Sequence, residues 1–199
     1  MLLSYPEADL SQDLVAVEQV LCGLASVPAA SQLRRVAQWL GSMEQGEAAK
    51  TYVQVFDLSE RVCLHLTYYR YGDTRERGMA LAALVEAFQR AGFEVVPGEL
   101  PDYLPALLEL AATSATGTAV LGEHRVALDA LHAALVELNT PYADVVDAVR
   151  SVLPRPSRRD RDALRQYRAD GPPSERVGLE PFAPPEFLGG HNLLQGGSR

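Results

Sequence analysis

Leu121, His124, Leu128, Leu131, Leu135 and Leu138 recur at strict steps of three and four residues. Residues at that spacing share one face of a helix, whereas a half-buried strand needs alternation at every second position. No segment of the 199 residues alternates in that way, while the three-four step returns along most of the chain. The spacing therefore predicts an all-α, single-domain bundle of about eight or nine helices with short links.

The other stripes complete that count. Leu10, Leu14, Val17, Leu21 and Leu24 form a first helix that Pro28 ends. Leu33, Val36, Leu40 and Met43, with Trp39 beside them, form a second, with Ser31 as its expected cap. A third helix is expected over Glu47 to Asp57 and a fourth from about Ser59 to Tyr69. Asp73-Thr74-Arg75-Glu76 has the form of a capping box before Leu81, Leu84, Val85 and Phe88. Leu104 to Ala112 reads as a short helix and Thr113 to Gly117 as a loop of small residues. The Leu121 to Leu138 helix follows. Thr140 as N-cap with Pro141 at the first helical position opens a helix carrying Tyr142, Val145, Val146 and Val149. Ser157 and Asp160 are placed to cap a last, Arg-rich helix ending near Ala169. Residues 170–199 hold Gly171-Pro172-Pro173, Pro184-Pro185 and two Gly-Gly pairs, a stretch too poor in core residues to pack and expected to be extended or disordered. Within it, Phe182, Phe187 and Leu188 are candidates to dock on the body.

Charge is also uneven along the chain. Residues 1–149 carry 20 acidic and 9 basic side chains, a net of -11, and residues 150–199 carry 6 acidic and 9 basic, a net of +3. An acidic body disfavours nucleic acid as a partner, because phosphate contacts need cations. The Arg155 to Arg168 stretch is diluted by Asp160 and Asp162. No run of about 18 apolar residues is present to span a bilayer, and Met1 to Glu7 lacks the basic and apolar regions of a secretory signal. A cytoplasmic location is expected, with Cys22 and Cys63 as buried, reduced thiols.

Catalytic motifs are missing. The chain has no phosphate-binding loop, no dinucleotide glycine fingerprint and no Gly-x-Ser-x-Gly turn. His124 and His132 stand eight positions apart on the expected helix, about 12 Å of rise, too far to share a metal bound at about 2 Å. Cys63-Leu64-His65 has a nucleophile and a base, yet neighbours on a helix diverge by about 100° and nothing orients the pair. Asp144 and Asp147 read as one solvated helix face. Neither a catalytic residue, nor a metal site, nor a cofactor is expected.

Three segments exceed what a helical core requires. Tyr52-Val53-Gln54-Val55-Phe56-Asp57 is the first. Tyr68-Tyr69-Arg70-Tyr71-Gly72-Asp73-Thr74-Arg75-Glu76-Arg77-Gly78 is the second, with three tyrosines and three arginines in ten residues. Glu99-Leu100-Pro101-Asp102-Tyr103-Leu104-Pro105 is the third. Its structural reading is a helix-entry loop with Asp102 as cap. Its functional reading is a pre-ordered acidic and aromatic lip beside a groove, suited to a basic amphipathic peptide helix.

Taken in order, Tyr52-Val53 with Phe56-Asp57, then Leu64, Leu66, Gly72, Asp73, Arg75, Arg77-Gly78 and Ala80, then Glu99-Leu100-Pro101-Asp102-x-Leu104-Pro105 resemble the nitrate reductase assembly chaperones, the NarJ or nitrate reductase delta subunit family. Leu2-Leu3-x-Tyr5-Pro6 fits the opening pattern of the same proteins, and the likeness covers most of residues 1–153. The wider redox-enzyme maturation group, which includes TorD and DmsD, typically has Glu-Pro-x-Asp-His near this point. Here Leu100 intervenes and Tyr103 follows Asp102, which favours the nitrate branch.

The resemblance implies a TorD-like helical fold and a cytoplasmic chaperone that is not an enzyme. Its client would be the apo catalytic subunit of respiratory nitrate reductase, held by its N-terminal segment until molybdenum cofactor and iron–sulfur centres are inserted and membrane docking follows. Molybdenum-cofactor biosynthesis proteins are further expected partners. On the residues that carry the resemblance, the peptide-binding set is Tyr52, Phe56, Asp57, Tyr68, Tyr69, Asp73, Arg75, Arg77, Glu99, Pro101, Asp102, Tyr103 and Leu104. Asp57, Glu99, Asp102 and Asp73 would meet client cations, and apolar anchors would set the affinity. The alternatives are a chaperone for a sulfoxide or N-oxide reductase, and an uncharacterised helical enzyme.

Overall fold

The computed structural model describes residues 1–7 and 10–173 and contains ten α-helices and no strand among them. The expected Phe182, Phe187 and Leu188 contacts, with the rest of 174–199, lie outside the described residues. The helices are α1 (Leu10–Gly23), α2 (Pro28–Gly41), α3 (Gln45–Tyr52), α4 (Tyr68–Tyr71), α5 (Arg75–Arg90), α6 (Leu104–Thr113), α7 (Ala115–Glu123), α8 (Arg125–Glu137), α9 (Tyr142–Val152) and α10 (Arg158–Asp170). The last turn of α3 widens into a π-helical turn, Val53–Asp57, closed by Leu58 N–H on the Val53 carbonyl at 3.0 Å.

α8 and α9 form the centre. Leu128, Leu131 and Leu135 of α8 and Val146 of α9 are fully buried. α2 packs on α9 with Val36 and Leu40, and α1 packs outside α2. Tyr142, 1% exposed, anchors an aromatic group with Trp39 (5.2 Å between ring centroids) and Phe56 (4.9 Å). α6 lies tightly against α7, and α5 leans on α7.

Several expected elements take a different form. The segment from Ser59 to Tyr69 is not a helix until Tyr68. Leu66 N–H bonds the Asp102 carbonyl at 3.0 Å and Leu104 N–H the Leu64 carbonyl at 2.8 Å, so this backbone pairs with the 102–104 segment. The long helix expected from Leu121 is broken at His124, whose ring Nδ1 lies 2.9 Å from the Val120 carbonyl. His124 and His132 therefore lie at the N-cap of α8 and within it, and His132 faces Asp147 at 3.8 Å. The small residues 113–117 form a tight corner. Ser114 caps α7 by accepting from Gly117 N–H at 3.0 Å. A Cβ on Gly117 would collide with the Leu110 and Ala111 backbone, so glycine lets α6 and α7 approach this closely.

The caps differ too. α2 begins at Pro28, and Ser31 sits inside it, donating to the Pro28 carbonyl at 2.9 Å. Thr74, not Asp73, stands at the α5 cap, and Asp73 pairs with Arg77 at 3.3 Å. Asn139 takes a left-handed conformation (φ 52°) after α8, Pro141 becomes the α9 cap, and the Thr140 hydroxyl is buried without a partner. The Ser157–Asp160 capping box on α10 is formed as expected, at 3.2 and 2.7 Å. Cys22 is exposed and Cys63 half-buried; burial pushes the Cys63 thiol up and keeps it protonated. Asp144 and Asp147 are half-buried: Asp144 binds Arg35 of α2 at 3.1 Å, and Asp147 binds Arg150 of its own helix at 2.8 Å and accepts from Gln32 of α2 at 3.3 Å, so both link α9 to α2 and are not a freely solvated face.

A buried carboxylate and an acidic cleft as the candidate functional site

Asp102 is completely buried, and everything around it is an answer to that burial. A carboxylate inside a protein needs donors for its oxygens and a countercharge. The His65 ring Nδ1 lies 3.0 Å from Oδ1. Oδ2 accepts the Thr67 N–H at 3.3 Å, the Thr67 hydroxyl, and Arg77 Nη2 at 3.5 Å. Burial alone would raise the Asp102 pKa. The hydrogen bonds from His65 and Thr67, then the electrostatic pull of His65 and Arg77, outweigh it and hold the carboxyl below its ordinary value. Arg77, only 17% exposed at its side chain, also donates to Thr67 Oγ1 at 3.2 Å and lies over the Tyr68 ring at 5.7 Å.

One acid thus pins three segments that are remote in sequence: the 64–67 loop, the start of α5 through Arg77, and the turn before α6. Rigid Pro101, itself buried, precedes it and Leu104, fully buried, opens the helix that follows. This explains why Asp102 caps nothing and forms no part of an exposed lip, contrary to both sequence readings: its side chain points at donors in other segments, and the α6 cap is Tyr103 without a side-chain bond.

The other expected site residues divide into two groups. Tyr52, Phe56 and Tyr69 belong to the core. The Tyr52 hydroxyl is 3.3 Å from the Tyr103 hydroxyl and 3.4 Å from the Leu3 carbonyl, and burial, then the Tyr103 bond, push its pKa up. Tyr69 accepts the Cys63 N–H at 3.0 Å and stacks near Tyr167 of α10 at 5.4 Å; burial pushes it up as well. Asp57, Asp73, Arg75 and Glu99 are exposed, while Tyr68 and Tyr103 are half-buried. Gly72, with φ 52°, receives the Pro173 backbone so closely that any Cβ there would collide with it.

Sequence reasoning missed His65 and Thr67 as partners of Asp102. In the sequence His65 reads only as a base for Cys63, and the two do interact, but through the backbone: His65 N–H donates to Cys63 Sγ at 3.4 Å while the ring turns to Asp102. Asp129 was also missed. It is 7% exposed and holds Arg125 at 3.1 Å and Arg150 at 2.6 Å, joining α8 to α9. Neither position carries a local pattern that distinguishes it. Among the described residues no group of His, Cys, Asp or Glu is placed to hold a metal ion, and no helix is long and apolar enough to cross a membrane.

The turn that Asp102 pins presents Glu99 to a cleft of about 410 Å³ between the end of α5, the 93–99 loop and α6. Its lining is mainly apolar. A shallower hollow of about 390 Å³ lies around Arg35 and Trp39 of α2 and Thr140 in the link between α8 and α9. The backbone beside the first cleft is fixed by the Asp102 bonds, and the charged side chains lining that cleft are acidic.

Comparison with known proteins gives a match to the nitrate reductase delta subunit family over residues 25–147, which include every expected site residue. The nitrate reductase-like protein NarX of Mycobacterium tuberculosis is 39% identical over 151 residues, 75% of this chain and 22% of that protein. NarJ of Escherichia coli, a nitrate reductase molybdenum cofactor assembly chaperone, is 30% identical over 150 residues, 73% of this chain and 64% of NarJ. NarJ of Bacillus subtilis is 30% identical over 113 residues, 57% of this chain and 61% of that protein. The chain thus spans less than two thirds of the length of each of these relatives. With the matched stretch enclosing both the buried Asp102 clamp and Glu99, the chain belongs to the nitrate reductase delta subunit family.

Proposed function

We propose that this protein is an assembly chaperone for respiratory nitrate reductase. It binds the N-terminal segment of the apo catalytic subunit in the cytoplasm and holds it for insertion of molybdenum cofactor and iron–sulfur centres, before membrane docking. Molybdenum-cofactor biosynthesis proteins are its further partners. The cofactor is cargo for the client and not a resident of this chain. The NarJ relatives are named as assembly chaperones, which supports a binding role over a catalytic one.

The observation that carries this reading is the pinned turn. The family-like segments around Arg77 and Glu99–Leu104 meet at one buried carboxylate, and what they leave accessible is an acidic and aromatic edge beside an apolar cleft. Such an edge recognises a peptide with apolar and basic side chains, and needs no nucleotide or metal to do so. Calorimetry with a synthetic N-terminal peptide of the catalytic subunit tests the proposal. Saturable binding is expected; no heat of binding at high micromolar peptide overturns it. A panel of N-terminal peptides from sulfoxide and N-oxide reductases run alongside assigns the client, and tighter binding of one of those would replace nitrate reductase in that role.

A further inference from the structure

The last helix reverses the charge of the body. Residues 155–170 hold six arginines and three aspartates, a net of +3, against the net of -11 over residues 1–149. This stretch lies beyond the 25–147 match, so the family likeness gives it no role. α10 has no buried residue; it rests on α8, with Leu164 and Tyr167 half-buried against the core. Arg158, Arg161, Arg165 and Arg168 follow at steps of three and four, so they share one face, and all four are exposed. The row is about 15 Å long. Its aspartates do not cancel it. Asp160 closes the capping box by accepting the Ser157 N–H at 2.7 Å, and Asp162 pairs with Arg165 alone. Arg161 donates to the Pro156 carbonyl at 2.7 Å, a neutral acceptor that leaves its charge uncompensated. Arg155, Arg158, Arg159 and Arg168 are in no ion pair among the described residues.

We propose that this row of arginines docks the protein on an anionic lipid bilayer, touching headgroup phosphates without inserting. The charges are strung along the helix and do not converge, which suits an array of phosphates and not a single bound ion. No large apolar side chain is exposed in residues 155–170. The row therefore lacks the anchors by which a protein partner or a single-stranded nucleic acid is held. An arginine near a negative lipid surface strengthens binding about fivefold and needs no fixed geometry to do so. Any other approach brings the acidic body to the negative surface and is repelled, so α10 leads. Under the function proposed above, such a reversible contact holds the loaded chaperone at the membrane where its client docks. The contact itself does not rest on that reading.

The test sediments the full chain at low salt with vesicles of phosphatidylcholine alone and of phosphatidylcholine mixed with phosphatidylglycerol. Binding to the mixed vesicles only is expected, and it should vanish at about 0.5 M salt, where charges are screened. Arg158→Gln with Arg168→Gln should weaken it about 25-fold, and adding Arg161→Gln and Arg165→Gln should take the loss beyond about 100-fold. The double variant decides the matter even if losing the Arg161 and Arg165 bonds frays α10. Arg61→Gln with Arg90→Gln, both exposed and outside α10, makes the same change in net charge and should leave binding near the wild-type value. Wild-type protein that ignores the mixed vesicles overturns the proposal. So does binding that survives high salt or is equal on phosphatidylcholine alone, since apolar insertion would then hold the protein. An α10 double variant no weaker than the Arg61 and Arg90 control also overturns it. Duplex DNA bound at the same salt, with the mixed vesicles left unbound, assigns the row to nucleic acid and overturns the bilayer. The peptide calorimetry described above involves no lipid, so the client reading and this one fail separately.

Discussion

Replacing Asp102 with alanine removes the only carboxylate that the Thr67 N–H and hydroxyl and the His65 ring share, and half the acidic environment of Arg77. Removing one partner of a buried ion pair costs about 3–5 kcal/mol, because the other charge stays behind unsatisfied. Arg77 keeps Asp73 at 3.3 Å and the Tyr68 ring, and it retains some water contact, so the lower end, about 3 kcal/mol, applies. For a chain of this size that lowers Tm by about 6–12 °C. Asp102→Asn preserves the shape and one acceptor but turns an amide N–H₂ toward donors, and should cost about 2 kcal/mol. The pH dependence has a definite sign. The folded-state pKa of Asp102 lies below its unfolded value, so the stabilisation by the ionised form is complete above about pH 5 and fades as pH falls through the folded pKa. The gap between wild type and Asp102→Asn should narrow as pH falls below about 5. Urea unfolding followed by circular dichroism measures it. An alanine variant with the wild-type urea midpoint, or a gap that widens in acid, refutes the clamp. Peptide binding separates the roles of two neighbouring acids: weakening by Asp102→Asn should not depend on salt, whereas weakening by Glu99→Gln alone should shrink as salt rises.

Two further perturbations probe the packing that holds the site. Gly117→Ala forces a methyl into the Leu110–Ala111 backbone and should destabilise the chain by about 1–3 kcal/mol, seen as a lower Tm; an unchanged Tm would mean that α6 and α7 can separate freely. Tyr142→Ala empties the centre of the aromatic group and should cost about 3–5 kcal/mol, with a changed emission of Trp39, the single tryptophan, whose ring lies 5.2 Å away; unaltered emission in the folded variant would contradict that contact.

Where local chemistry is decisive, sequence reading reached the structure. The all-α class, the α8 core stripe and the Ser157–Asp160 capping box follow from residues within a few positions of one another. The expected helix over Ser59–Tyr69 failed because its backbone donors find acceptors about forty residues away, at Asp102, and its carbonyl at Leu64 accepts from Leu104. Thr140 and Asp73 failed as caps for a related reason: the chain around them is set by the helices it must join, and their side chains follow.

The sequence by itself determined that this chain builds helices, that its body is acidic, and that the segments around Arg77 and Glu99–Leu104 are the unusual ones. Helical spacing, charge and proline placement are local properties, so they survive without coordinates. Only the tertiary structure decided what the acids do. Asp102 and Glu99 stand three residues apart and look alike in the sequence. Folding buries one against His65, Thr67 and Arg77 and leaves the other exposed at an apolar cleft. Burial and partner choice depend on which remote segments arrive at a position, and those arrivals are set by the packing of the whole bundle.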